Sequence, residues 1–362
     1  MAPKSSKMTD TYTFPEKSKF ESEINGKKTE LIELRNSSDM RVFITNYGAR
    51  IVGIYLPVEK DRWIDVNLGH ATIDEYRREK ANYYGAVIGR VCGRIRDAQF
   101  EIAGEKFVLQ PNNGDVFLHG GENAFHTKVF EVEEKSNDKV VLNYKSPDGE
   151  EGFPGNLEFK VMYQLTENNS LNLQFEAVSD KTTPFNVTNH AFFNLNGEGS
   201  GAVMDHELTV FTDQFLPAGA DILPTGEIRP VENTVFDFTK TKKIGKNIEA
   251  DSQQLRYGNG YDHTFVMKKK MSSELLHAAR VKGDKTGIVM DVYTDQPGIH
   301  LYTGNFMESD FILKTGAKDE RRNAFCLETQ HLTDAMNIPE FPSILLESDK
   351  RFKACTNFRF TF

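Results

Sequence analysis

Apolar and polar residues alternate with a period of two through most of this 362-residue chain, broken by frequent turn formers. That period places successive side chains on opposite faces of a strand, so the pattern separates a buried face from a wet one only as β-structure. The strongest local signal is Asn25-Gly26, between expected strands at 20–24 and 29–34. Both turn residues accept positive φ, as a tight hairpin requires. Gly104 divides 99–103 from 106–109 in the same way. Further strands are expected at 41–45, 51–56, 128–133, 139–144, 157–165, 171–177, 277–281 and 288–293. Helical periodicity is confined to 71–79 and 272–276. Many short strands joined by turns predict an all-β fold, a large antiparallel β-sandwich. No break in composition and no internal repeat divides the chain, so residues 14–362 are expected to form a single domain. Residues 1–13 are rich in Lys, Ser and Thr without periodicity and are expected to be a disordered tail.

Charge and cysteine usage exclude several function classes. The net charge is −9, and the densest basic run is only Lys268-Lys269-Lys270. Neither nucleic acid nor an anionic membrane is an expected partner. No stretch approaches 18 apolar residues, and the polar N-terminus is not a signal peptide. Cys92, Cys326 and Cys355 are odd in number and widely spaced, so neither a disulfide framework nor a zinc site is expected. A reducing, cytoplasmic setting follows as an expectation.

Several polar groups interrupt apolar strand patterns. Arg90 and Arg94 lie among small and apolar residues in Gly89-Arg90-Val91-Cys92-Gly93-Arg94-Ile95. A buried guanidinium needs partners: either a structural ion pair or a fixed fork for a ligand. His119 precedes Gly120-Gly121, which allow close backbone approach by a ligand, although a loop histidine is more often a plain surface residue. His190 shares a strand face with Phe192 and Asn194, the setting of either a satisfied core histidine or a tuned acid or base. Asp262 stands at a strand entry, where Asp is also an ordinary turn residue. Glu328 lies in the apolar run Phe325-Cys326-Leu327-Glu328, and Gln296 adds loop polarity nearby in sequence. No Gly-x-Ser-x-Gly elbow, His-Glu-x-x-His pair or phosphate loop is present, so serine, metal and nucleotide chemistry lack support. His, Glu, Asp, Arg and Gln on a β scaffold suit proton transfer on a neutral, hydroxyl-rich ligand.

In order along the chain come Asn46-Tyr47-Gly48-Ala49, Gly89-Arg90-Val91 with Gly93-Arg94-Ile95, and Leu118-His119-Gly120-Gly121. They are followed by Asn189-His190, Phe193-Asn194-Leu195, Tyr261-Asp262-His263 and Gln296-Pro297-Gly298. Tyr302-Thr303-Gly304-Asn305-Phe306 and Leu327-Glu328-Thr329-Gln330 complete the series. Together these stretches resemble the aldose 1-epimerase (galactose mutarotase) family. The resemblance implies the family's large antiparallel supersandwich and interconversion of the α and β anomers of a free hexose, without a cofactor or metal. It implies Glu328 as the general base on the anomeric hydroxyl and His190 as the general acid on the ring oxygen. Arg94, His119, Asp262 and Gln296 match positions that hold sugar hydroxyls. Either Arg90 or Arg94 could face the sugar; Arg94 is the one expected. A nearby arginine should favour ionised Glu328, and nearby carboxylates should favour charged His190. The chain departs from the family pattern at Ala191-Phe192 and at Cys92-Gly93. The implied partner is a monosaccharide, and the chain is expected to be a monomer or weak dimer. Two rivals remain: a hexose-6-phosphate 1-epimerase, which needs extra cations at the site, and a non-catalytic carbohydrate-binding protein, which does not need both Glu328 and His190.

Overall fold

The computed structural model describes residues 14–78, 82–268 and 274–362. Residues 1–13, expected as a tail, lie outside that range. The architecture is the expected one: antiparallel sheets with few short helices. The strands Leu157–Leu165 and Ser170–Ser179 pair over their whole length, from Leu157 opposite Ser179 to Leu165 opposite Leu171. Along the first of them every second residue is buried, as a period of two demands. These strands form the middle of a nine-stranded sheet. Ser170–Ser179 is followed across that sheet by Arg351–Thr361, Val289–Thr294 and Leu276–Lys282. The C-terminal strand therefore joins the middle of the chain to its last third.

A four-stranded meander, Leu31–Arg35, Arg41–Thr45, Arg50–Glu59 and Arg62–Asp65, packs against this sheet. A five-stranded sheet supplies the third layer face, with Asp262–Val266, Gly298–Tyr302 and Cys326–Gln330 adjacent to one another. Apolar sides of all three sheets meet in one core that runs in sequence from Ile32 to Phe360. The heavy use of Phe has its reason here. Phe125, Phe159, Phe175 and Phe185 pack ring against ring, Phe125 and Phe159 being stacked at 5.0 Å.

Local signals behave as read, with shifted ends. Asn25 and Gly26 both have positive φ and close the hairpin Ser22–Ile24 with Lys27–Thr29. The helix expected at 71–79 is Ile73–Arg77, opened by a capping box between Thr72 and Glu75. The second expected helix, at 272–276, lies partly outside the described residues, and Leu276 instead begins the strand Leu276–Lys282. Gln253–Gly258 forms a short helix that periodicity did not show. Among the described residues, no helix is long and apolar enough to cross a membrane.

The segment from Gly304 to Asp319 reaches over one end of the five-stranded sheet. It is pinned by Lys314, whose ammonium is buried against Glu198 at 2.7 Å, the Asn67 carbonyl at 2.9 Å and Asp65 at 3.3 Å. Removing a buried cation leaves two buried carboxylates facing each other. Lys314→Ala is expected to lower unfolding stability by about 3–5 kcal/mol in a denaturant titration. A loss below about 1 kcal/mol, as for a surface pair, would contradict this reading.

Candidate active site

Antiparallel pairing builds the floor of a cavity of about 480 Å³. Thr264 pairs with His300, and His300 pairs with Glu328, so the three stand in one row across three strands. Asp262 pairs with Tyr302 one step along. Side chains two residues apart share a face, so Asp262, His300, Tyr302 and Glu328 all line the cavity. The opposite wall comes from loops that carry Tyr83, Tyr84, His119, His190 and Phe192, and from Arg94 on the short strand Arg94–Ile95. The volume falls within the range of ordinary small-ligand pockets. A larger hollow of about 630 Å³, between Arg96, Asp221, Asn337 and Glu340, holds none of the expected acid–base residues.

His190 Nε2 lies 3.6 Å from Glu328 Oε1, and both side chains are buried. The imidazole is held between Phe192, stacked at 4.8 Å, and Tyr83, stacked at 5.8 Å. Its backbone is fixed at both ends, the N–H donating to Ala86 and the carbonyl accepting from Gly85. Its Nδ1 lies 3.6 Å from Cys326 Sγ. Burial pushes the His190 pKa below the ordinary value, outweighing the upward pull of Glu328. The expectation that neighbouring carboxylates would keep His190 charged therefore does not hold in the empty cavity: desolvation is the larger effect.

Asp262 is the fixed anion of the site. Burial pushes its carboxyl up, but Arg94 and a hydrogen bond from His300 pull it down to about 2. His300 Nε2 donates to it at 2.7 Å, and Arg94 stands 3.7 Å away. His119 takes positive φ, and its Nδ1 accepts from the Gly93 amide at 3.2 Å. That bond leaves the proton on Nε2, a donor facing the cavity. Burial and the charges of His190 and Arg94 hold His119 neutral, well below the usual histidine range. The adjacent glycine serves the protein's own backbone: a Cβ on Gly120 would meet the Gly89 carbonyl at 2.1 Å.

Five of the six expected site residues thus meet in one cavity: Glu328, His190, Arg94, His119 and Asp262. Gln296 does not. It precedes the strand Gly298–Tyr302 at the end away from Asp262, and its amide donates to Asp295. Arg90 is also settled. Its guanidinium is spent on Ser146, Pro147 and Pro154, mostly on their carbonyls, and does not line the cavity. His300, which the sequence reading passed over, stands between Asp262 and Glu328. Counting by two from Tyr302 would have found it.

A protein-family model described as aldose 1-epimerase matches residues 30–359. The chain belongs to the aldose 1-epimerase family. Among its relatives is the galactose mutarotase of Sus scrofa, 41% identical over 90% of this chain and 92% of that protein. The galactose mutarotase of Homo sapiens is 39% identical over 89% and 91%. The aldose 1-epimerase of Escherichia coli K12 is 32% identical over 93% and 96%. The crystal structure of an aldose epimerase homologue from C. elegans superposes with a TM-score of 0.84 at 28% identity, covering 92% of this chain and 99% of that one. That of galactose 1-epimerase from Lactobacillus acidophilus gives 0.81 at 28% identity, over 94% and 96%. The family's supersandwich is therefore the fold of this chain.

Because the Glu328 charge raises the His190 pKa, removing it must lower that pKa further. In an NMR titration, His190 of Glu328→Gln is expected to protonate at a lower pH than His190 of the wild type. An unchanged or higher midpoint would show that the two groups do not share one electrostatic environment.

Proposed function

We propose that the protein is an aldose 1-epimerase that interconverts the α and β anomers of a free hexose such as galactose or glucose, with Glu328 and His190 as its acid–base pair. The observation that carries this reading is the 3.6 Å approach of Glu328 to His190 inside the cavity. Both oxygens of a hemiacetal sit on one carbon, so base and acid must stand side by side to reach them together.

The pair needs one proton between its two members. Ring opening starts from the state with that proton on His190, which Glu328 favours and burial opposes. Glu328 removes the proton of the anomeric hydroxyl while His190 gives its own to the ring oxygen. The bond from C1 to the ring oxygen breaks as the C1 carbonyl forms. Rotation about C1–C2 presents the other carbonyl face, and closure returns both protons. Neither redox change nor a covalent enzyme intermediate is required. Asp262, with His300 and Arg94 fixing its carboxylate, accepts from sugar hydroxyls, and His119 Nε2–H donates to one. Tyr83 and Phe192, which clamp His190, add apolar wall.

Arg94 is the only Lys or Arg among the described residues lining the cavity, and Asp262 opposes its charge. A phosphate would find no free cation there, which disfavours a hexose 6-phosphate as substrate. A purely binding protein would gain nothing from a buried base beside a buried acid. The same reading carries a monosaccharide ligand and a cytoplasmic setting, supported by three unpaired cysteines, Cys92, Cys326 and Cys355.

Polarimetry on fresh α-D-galactose and α-D-glucose tests this directly. Wild type is expected to speed the approach to equilibrium, and Glu328→Gln and His190→Asn each to cost about 10²–10⁴-fold. Acceleration of glucose 6-phosphate alone would move the assignment to the rival epimerase. Geometry also ranks two polar neighbours. His300→Ala should lower kcat/KM by about 10–100-fold by freeing Asp262, a loss of about 1.4–2.7 kcal/mol. Gln296→Ala should stay within about twofold of wild type. The reverse order would overturn the placement of His300 at the site.

A further inference from the structure

The acid–base pair has a third neighbour that the proposed reaction does not use. Cys326 precedes Glu328 by two residues on one strand, so both side chains point to the same face. The Cys326 sulfur lies 3.6 Å from His190 Nδ1. One donor atom from each of His190, Cys326 and Glu328 falls within 4.8 Å of the others, and all three residues are buried. Sequence spacing gave no hint of this cluster, because His190 comes from a segment far along the chain from the strand that carries Cys326 and Glu328.

We propose that His190, Cys326 and Glu328 form a binding site for a borderline-soft divalent cation of the Zn²⁺ or Cd²⁺ class, and that its occupation shuts out the sugar. As regulation of catalysis the proposal rests on the epimerase reading; as a binding site it does not. Nitrogen, sulfur and carboxylate oxygen are the donors that zinc takes, at about 2.0–2.3 Å each. Donor atoms of such a tetrahedral set stand about 3.3–3.8 Å apart, so the 3.6 Å spacing of nitrogen and sulfur already fits. Glu328 approaches the other ring nitrogen, Nε2, at 3.6 Å, so ligation through Nδ1 requires its carboxylate to swing towards Cys326, from within the 4.8 Å that already groups the three donors. Water can fill the fourth position. Glu328 and Asp262 offset the ion's charge, and Arg94 opposes it.

Forming the metal–sulfur bond sends the thiol proton of Cys326 to solvent, because the ligand is the thiolate. The ion and the sugar need the same two side chains, His190 and Glu328, so they exclude each other.

The test uses Cd²⁺ as probe on metal-free protein without sugar, following the ultraviolet absorption of cadmium–thiolate bonds. A Cys92→Ser/Cys355→Ser background leaves Cys326 as the only thiol. The expected result is a band that saturates at one Cd²⁺ per chain, with one proton released. Adding Cys326→Ser should abolish it, and galactose should suppress it. In parallel, Zn²⁺ should slow wild-type mutarotation, and Cys326→Ser should need about 10–100-fold more Zn²⁺ for the same inhibition. No band at all, a band that does not saturate at one Cd²⁺ per chain, or a band indifferent to galactose would overturn the proposal. A band that behaves as expected in a protein without mutarotase activity would uphold the site and sink the epimerase reading instead.

Discussion

The antiparallel register of three strands is the constraint on which the site depends. Thr264, His300 and Glu328 form one cross-strand row, with Asp262 beside Tyr302 one step away. A shift of one residue in either pairing would turn the affected side chains to the opposite face. Register here is held by what lies on that opposite face. Phe265, Ile299, Leu301 and Leu327 alternate with the polar set and are buried in the main core. The apolar half of each strand thus fixes where the polar half points. Catalytic geometry is in this sense a by-product of ordinary core packing.

Among the described residues, buried charges take partners that differ with their place in the fold. Arg50 and Arg90 spend their donors chiefly on backbone carbonyls, and so tie loops to the sheets. Arg50 holds the carbonyls of Asn82, Tyr84 and His126, which frame Tyr83 on the cavity wall. Lys314 joins two carboxylates and pins the segment that carries Phe306, Met307 and Phe311 to the rim. Around the proposed acid–base pair the pairing is looser. His190 and Glu328 stand 3.6 Å apart, longer than a hydrogen bond, so each is left to bond a ligand rather than the other. Burial without full pairing is the condition under which pKa values can be tuned.

Much of this was legible before any coordinates. Period-two alternation located Leu157–Leu165 to the residue, because a strand with one face in the core must alternate. Asn25-Gly26 marked its hairpin because few other pairs tolerate positive φ twice. Strand order was not legible: nothing local says that Arg351–Thr361 lies between Ser170–Ser179 and Val289–Thr294, since that pairing is set by core packing across the chain. At the site, Glu328 stood out as a charge in an apolar run, whereas Asp262 at its strand entry gained its place only with the family resemblance. His300 was passed over although it stands between Ile299 and Leu301; its register to Asp262 and Glu328 gives it meaning. Gln296 was expected there through the family resemblance alone, and it precedes its strand at the end away from Asp262, outside the cavity lining. The electrostatics of His190 were misjudged because sequence reveals charged neighbours more readily than it reveals depth of burial.

The most direct test of the account is a crystal structure of Glu328→Gln soaked with galactose. The account predicts the anomeric hydroxyl within hydrogen-bond distance of the substituted amide side chain and the ring oxygen within reach of His190 Nε2. Asp262 and His119 should hold other hydroxyls in the same structure. A sugar bound in this cavity with its anomeric carbon turned away from both side chains, or bound elsewhere, would contradict the central claim.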